Sequence, residues 1–312
     1  MSETPQVVIT EFMDDAAVAK IADAAPTLYD PGLADNQDQI PALLGHATAL
    51  IVRNRTQVRQ VLLDSAPNLQ AVGRLGVGLD NIDVQACLAH DVTVYPATGA
   101  NDVAVAEYVI TTAMTLLRGA YHATGAVADG SWPRNQLIGS EISGKVLGLI
   151  GFGSIARQTA NRAMALGMNV VAHDPFVADS DPAWGDVRSA TMDTVIAEAD
   201  VLSLHTPLTD ATRHLINEAK LASMKSSAIL INAARGGVVD EAALASALRS
   251  GEISGAALDV FETEPLSPEA GQAFKDLNVL LTPHIAGVTQ ESNTRVSELI
   301  AAKILSHLGL QR

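Results

Sequence analysis

The chain has 312 residues, 48% of them hydrophobic and 18% charged. That is enough for about two globular domains of ~150 residues, each with its own core. Lys and Arg number 20 against 35 Asp and Glu, a formal charge of -15. This argues against a sequence-independent grip on nucleic acid and against docking on an anionic membrane. A single cysteine, Cys87, excludes an internal disulfide and a cysteine-built metal centre, and no metal is expected. The opening stretch, MSETPQVVITEFMDD, lacks the basic start and apolar run of a signal peptide, and no stretch approaches the ~20 apolar residues of a membrane span. The expectation is a cytoplasmic protein. Its acidity reads as solubility or as adaptation to a salty cytoplasm.

Short apolar, β-rich runs fall at 7–10, 47–52, 71–75, 146–151, 169–173, 200–205, 228–232, 255–260 and 278–282. Ala/Leu segments with helical spacing, such as RQTANRAMALG and DEAALASALRSG, lie between many of them. Continuous apolar strands separated by helices predict parallel sheets covered on both faces, an α/β doubly wound architecture. Residues 101–121 predict one long helix, capped by Asn101 and ended by Gly119 and Gly125. It reads as a bridge between two sheet-bearing blocks, 7–95 and 146–282. A last helix, near 289–309, is expected to return to the first block, which makes the first domain discontinuous.

VLGLIGFGSIARQTANRAMALGMNVVAHD carries the strongest local signal. A strand ends at Gly151 and a helix begins near Ser154, with Gly151-Phe152-Gly153-Ser154-Ile155-Ala156 forming GxGxxA. Gly151 permits the turn, Gly153 lets a pyrophosphate approach the backbone, and Ala156 lets helix and strand pack closely. The helix start offers free N–H groups and a positive dipole end to phosphates. Asp174 closes the next strand, about 20 residues past the first glycine, where an acid accepts hydrogen bonds from ribose hydroxyls and repels a 2′-phosphate. NAD is expected over NADP.

Three later segments place polar groups at strand ends, where open α/β sheets hold ligands. INAARGGVVDE offers Arg235, AALDVFETEP offers Asp259 and Glu264, and LLTPHIAGVTQES offers His284. Together they suit hydride chemistry on a 2-hydroxy acid. Arg235 can fork onto the substrate carboxylate and polarise the carbonyl. His284 can exchange the hydroxyl proton, and Glu264 can orient the imidazole and favour its protonated form. Taken singly, each has an ordinary reading as a surface or loop residue. His205, ending a strand in HTPLT, is expected to shape its loop, and His173 to border the adenosine pocket.

GRLGVGLDNID (73–83), GANDVAVAEYV (99–109), GSEISGKVLGLIGFGSIA (139–156), HTPLTDATRHLIN (205–217), INAARGGVVDE (231–241), AALDVFETEP (256–265) and TPHIAG (282–287) occur in this order. With these segments the chain resembles the D-isomer-specific 2-hydroxyacid dehydrogenases, most of all their phosphoglycerate-oxidising members, over nearly its whole length. The resemblance implies catalytic roles for Arg235, Glu264 and His284. It implies NAD contacts at Gly151, Gly153, Ser154, Ile155, Asp174, Thr206, Pro207, Ala233, Asp259 and Gly287, with Val77, Arg235 and His284 beside the nicotinamide. It implies a flavodoxin-like substrate domain, residues 1–98 and 285–312, split around a Rossmann-type NAD domain, residues 99–284. Homodimers through the cofactor domain are usual in the family. Val77 and Gly78 lie in the loop that borders substrate and nicotinamide. Phosphoglycerate enzymes often carry threonine at the Val77 position. Formate dehydrogenases carry glutamine at the Glu264 position, so formate is disfavoured.

By the same resemblance Arg53 and Arg74 face the second anionic group of the substrate. The expected substrate is therefore a small 2-hydroxy or 2-keto acid with an anionic tail. 3-Phosphoglycerate leads and 3-sulfolactate follows closely, ahead of malate-like diacids, glyoxylate and hydroxypyruvate. The chain ends soon after its last helix, so serine feedback through an appended domain is not expected. An NAD(H)-sensing protein without turnover is the alternative from another class.

Overall fold

The three early apolar runs and two further segments assemble into a five-stranded, all-parallel sheet. Its strands are β1 (Val7–Ile9), β2 (Thr27–Tyr29), β3 (Ala49–Val52), β4 (Ala71–Arg74) and β5 (Thr93–Pro96), in the order β2-β1-β3-β4-β5. This is the flavodoxin-like order of a doubly wound sheet. Successive side chains point to opposite faces, and here both faces are buried. Val8, Leu50, Val52 and Val72 enter one core with Leu33, Leu44 and Leu63. Val7, Ile9, Ala49, Ile51 and Ala71 enter another with Ile300 and Ile304. The latter two come from the helix Gln290–His307, which starts in a capping box between Thr289 and Ser292. Gly73 admits that helix, since a Cβ there would stand 2.6 Å from Ile300 Cγ2. The computed structural model describes residues 4–310.

A second, seven-stranded parallel sheet contains β6 (Val146–Ile150), β7 (Asn169–His173), β8 (Arg188–Ser189), β9 (Val201–Leu204), β10 (Ile229–Asn232), β11 (Gly255–Leu258) and β12 (Val279–Leu281). The order β12-β11-β10-β9-β6-β7-β8 is the Rossmann order with a seventh strand added at one edge. Two cores cover its faces, one around Ile196, Leu202, Leu230 and Leu244, the other around Leu147, Leu149, Phe152 and Ile231. The fold is the α/β, two-sheet architecture that the strand pattern predicts.

The chain divides into two units, Met1–Asn101 with Val288–Arg312 and Asp102–Gly287. Each junction falls slightly later than the sequence boundaries at 98/99 and 284/285. The long helix, Asp102–Arg118, is built into the second unit rather than serving as a spacer. Its Val109, Ile110, Ala113 and Leu116 share a core with Ala156, Ala160 and Ala163 of the helix Ser154–Ala165. The expected Asn101 cap does not form: the side-chain oxygen is buried and accepts no hydrogen bond. Among the described residues no single helix is long and apolar enough to cross a membrane, and no cluster of His, Cys, Asp and Glu could hold a metal.

Candidate active site

In the second unit, three strand-end loops bring Arg235, Glu264 and His284 together. Arg235 follows β10. Its turn is clamped by Asn232, which is 1% exposed. The Asn232 amide donates to the Arg235 carbonyl at 2.9 Å, and its oxygen accepts from the Ala234 N–H at 3.1 Å. Gly236 then allows a close approach of two loops, because a Cβ there would lie 1.7 Å from the Phe261 carbonyl oxygen. Glu264 occupies the loop on the far side of that approach. One of its oxygens accepts from the Phe261 N–H at 3.1 Å. The other meets His284 Nδ1 at 2.7 Å. Desolvation pushes the Glu264 carboxyl up. The His284 hydrogen bond and charge, the Phe261 amide and the Arg235 charge outweigh it and hold the group below the usual carboxylate range.

His284 sits at φ +55°, in the left-handed region that is rare for a residue with a side chain. Asp259 holds it there. The Asp259 carbonyl accepts the His284 N–H at 2.8 Å. Its buried carboxylate accepts from the Thr282 hydroxyl (2.6 Å) and from the N–H groups of Ile285 and Ala286 (2.8 Å each). Asp259 is therefore a scaffold for the histidine loop, a job its expected place among the cofactor contacts does not describe. Tyr108 extends the chain, its hydroxyl 2.7 Å from Thr282 Oγ1. A carboxylate only accepts, so Thr282 donates to Asp259 and Tyr108 donates to Thr282. Asn232 and Tyr108 are absent from the sequence reading. Their only signal was position, Asn232 as the last residue of a strand and Tyr108 on the long helix Asp102–Arg118.

The dinucleotide fingerprint lies at the switch point of the same sheet, beside β6. Gly151 has φ +90°, and a Cβ there would press to 2.5 Å from the His205 carbonyl oxygen. The helix Ser154–Ala165 begins just after Gly153, where a Cβ would meet nothing within 4 Å. The first N–H groups of that helix, on Ser154, Ile155 and Ala156, point into this open space. Asp174 closes β7 and accepts from the N–H of Phe152 (2.8 Å) and of Phe176 (2.9 Å). Each carboxylate oxygen keeps a lone pair for a ribose hydroxyl. Thr206 Oγ1 is buried and makes no hydrogen bond. Pro207 is exposed, while Ala233 and Gly287 are partly buried at strand-end turns. An open glycine cradle, an oriented acid and an orphaned hydroxyl fit a bound NAD. His173 Nδ1 donates to the Ala190 carbonyl at 3.1 Å. His205 pairs with Ser203 Oγ at 3.0 Å, and burial pushes it down to about 4, so it is neutral and shapes its loop.

The first unit carries Arg53 and Arg74 at the carboxyl ends of neighbouring strands. β3 and β4 pair so that Val52 stands opposite Arg74, and Arg53 follows Val52. Arg53 Nη2 donates to Asn293 Oδ1 at 2.8 Å, and its guanidinium carbon lies 5.9 Å from the centre of the Phe12 ring. Burial holds its pKa below the usual arginine value, against the charge of Glu11. The Arg74 guanidinium lies over Gly76, where a Cβ would stand 1.4 Å from Nη1. Val77 and Gly78 follow in that partly buried loop.

A Rossmann sheet with this fingerprint, joined to an arginine, a glutamate and a histidine on adjacent loops, defines an NAD-dependent oxidoreductase. The model of the D-isomer specific 2-hydroxyacid dehydrogenase NAD binding domain matches residues 110–286. The chain is 51% identical to the (S)-sulfolactate dehydrogenase of Chromohalobacter salexigens, over 98% of this chain and 99% of that one. It is 40% identical to the D-3-phosphoglycerate dehydrogenase of Archaeoglobus fulgidus, over 83% of this chain and 49% of that one. The D-lactate dehydrogenase of Aquifex aeolicus, solved with NAD and lactic acid, superposes with a TM-score of 0.83 at 28% identity, covering 97% of this chain and 96% of that one. The chain belongs to the D-isomer-specific 2-hydroxyacid dehydrogenase family, and it is an NAD-dependent enzyme acting on a hydroxy acid.

Proposed function

We propose that this enzyme interconverts, with NAD(H), a three-carbon 2-hydroxy acid that bears a second anionic group on C3, and that 3-sulfolactate is that acid. The observation that carries the reading is the pair of arginines at neighbouring strand ends, in a chain 51% identical to a sulfolactate dehydrogenase over nearly its whole length. The stereochemistry is coherent with the family. Sulfur on C3 outranks the carboxyl carbon, so (S)-sulfolactate has the same spatial arrangement as D-lactate. 3-Phosphoglycerate is the second reading, favoured by the same arginines.

When bound, NAD supplies the hydride acceptor. Gly151, Gly153 and the helix start at Ser154 and Ile155 hold its pyrophosphate, Asp174 its ribose, and Thr206, Pro207, Ala233 and Gly287 line its path. Val77 borders the nicotinamide and, with Gly78, the substrate. Arg235 forks onto the substrate carboxylate and draws electron density from C2. The Glu264 carboxylate accepts a hydrogen bond from His284 Nδ1–H, which fixes the tautomer and leaves the Nε2 lone pair free. Nε2 takes the hydroxyl proton on oxidation and returns it on reduction. Arg53 and Arg74 bind the sulfonate.

A homodimer through the second unit accompanies this reading. Tyr121, Val127, Trp132 and Ile138, all in that unit, are 66%, 43%, 75% and 80% exposed and lie within one stretch of chain. Large apolar side chains left exposed along one stretch suit a second copy. A cytoplasmic location fits the one buried, free cysteine, Cys87. The test is NADH formation from 3-sulfolactate, 3-phosphoglycerate, malate and D-lactate, which differ in the tail. The expected kcat/KM is highest for sulfolactate. A wild-type enzyme that favours D-lactate overturns the anionic tail, and one that favours phosphoglycerate selects the second reading.

A further inference from the structure

The carboxylate of Glu11 has no part in the chemistry above. It follows β1, beside β3 in the sheet, and is 4% exposed. Its oxygens accept hydrogen bonds from four consecutive backbone N–H groups. These are Arg53 (2.8 Å), Asn54 (3.2 Å), Arg55 (3.2 and 3.1 Å) and Thr56 (2.9 Å). Successive amides converging on one point make an anion-binding concavity. Here the protein fills that concavity with its own carboxylate. The amides of this loop are therefore occupied, and the loop can present itself to an external anion only through side chains.

The Arg53 side chain is fixed as firmly as its backbone. Asn293, on the helix Gln290–His307, accepts from Nη2 at 2.8 Å, and the Phe12 ring lies against the guanidinium. An arginine side chain free in solvent loses about 2 kcal/mol of rotamer entropy when a ligand immobilises it. Here most of that loss has already been taken on folding. The partner at position 293 is also neutral. The carboxylate whose charge reaches Arg53 is Glu11, and its oxygens are taken up by backbone amides rather than by the guanidinium.

We propose that Glu11 and Asn293 are positioning residues for the Arg53 guanidinium, and that they set the selectivity of the enzyme for a substrate's second anion. Glu11 fixes the loop and Asn293 fixes the fork. The inference rests on the reading of Arg53 as the tail-binding arginine.

The experiment compares kcat/KM for 3-sulfolactate and for D-lactate in the wild type, Arg53→Ala, Glu11→Gln, Asn293→Ala and Asn293→Asp. Arg53→Ala is the reference, with a loss of about 10- to 100-fold on sulfolactate and little on lactate, the scale of one charge-assisted hydrogen bond. Glu11→Gln keeps the size but sets an NH2 group against backbone donors. It and Asn293→Ala should each lose roughly 5- to 30-fold on sulfolactate, mainly through KM, with lactate unchanged within about twofold. Asn293→Asp should lose at least as much as Asn293→Ala. Equal losses on the two substrates mean a general structural role and overturn the proposal. So does unchanged selectivity in Glu11→Gln and Asn293→Ala while Arg53→Ala keeps its defect. If Arg53→Ala itself spares sulfolactate, the tail-binding reading fails and the positioning proposal fails with it. Should Glu11→Gln not fold, Asn293→Ala, at a half-buried helix position, decides the matter alone.

Discussion

The strand-end loops of the two units hold Arg53 and the Glu264–His284 pair in different ways. In the second unit the ionisable groups are paired with each other, Glu264 with His284 at 2.7 Å, with the Arg235 charge acting on the same carboxylate. In the first unit Arg53 is fixed by a neutral amide and an aromatic face. A hydrogen-bonded acid–imidazole pair sets a tautomer and can pass a proton. A guanidinium held by a neutral partner keeps its charge for an incoming anion. The two units also share a device: one buried polar side chain shapes each loop through backbone bonds, Asn232 and Asp259 in the second unit and Glu11 in the first. The loops diverge in what their charged side chains are left to do, not in how they are built.

Several substitutions break this contrast, and the largest effect belongs to the proton-handling pair. His284→Ala should lower kcat by about 10²–10⁴ on every substrate, as for a lost general acid–base, measured by steady-state NADH formation. Loss on only one substrate kind would move His284 from chemistry to recognition. Asp174→Ala should raise the ratio of NADP to NAD efficiency by roughly 10-fold or more, because the acid that accepts ribose hydroxyls and repels a 2′-phosphate is gone. An unchanged ratio removes Asp174 from cofactor choice.

Glu264→Gln keeps the shape of the pair and removes its charge. The carboxyl is held below the usual carboxylate range, so the wild type carries this charge throughout the neutral range. Its loss should lower kcat for oxidation by about 10-fold or more, with some activity retained. An unchanged kcat leaves Glu264 with steering alone. The smallest effect concerns His205. Burial sets its folded pKa at about 4, below the ordinary imidazole value of 6.5. The unfolded chain binds the extra proton, so stability should fall as pH drops from about 6.5 towards 4, by up to about 1.4 kcal/mol per pH unit. Urea midpoints across that window should flatten in His205→Gln. Equal slopes in both proteins would show that other groups govern acid unfolding.

Nine of the twelve strands among the described residues are legible in the sequence, because both faces of a parallel sheet bury and the strands read as continuous apolar runs. β2, β5 and β8 escaped notice. Each forms a sheet edge, and each is at most half-buried, so TLY, TVYP and RS carry no such run. The reacting residues were legible for a related reason: they fall in the loops that follow apolar strands, where open α/β sheets hold ligands. The supporting groups were not. Glu11 acts on residues more than 40 positions away, and nothing near it in the chain announces those bonds. Asp259 was visible as a strand-end acid, but its hold on the loop 282–286 depends on a register between β11 and β12 that only the fold supplies. Asn101 has good capping chemistry, but its side-chain oxygen is buried without a hydrogen bond, a placement that the local sequence does not announce.

The most direct test of a reaction centre in one unit and tail recognition in the other is a comparison of Arg235→Ala with Arg53→Ala and Arg74→Ala. Each is assayed for oxidation of 3-sulfolactate and of D-lactate. Both acids carry the carboxylate and only one carries the tail. Arg235→Ala should disable both reactions, since its partner is common to them. Arg53→Ala and Arg74→Ala should each lower kcat/KM for sulfolactate by about one to two decades and leave lactate nearly untouched. Losses of equal size on both acids in all three variants would contradict the account.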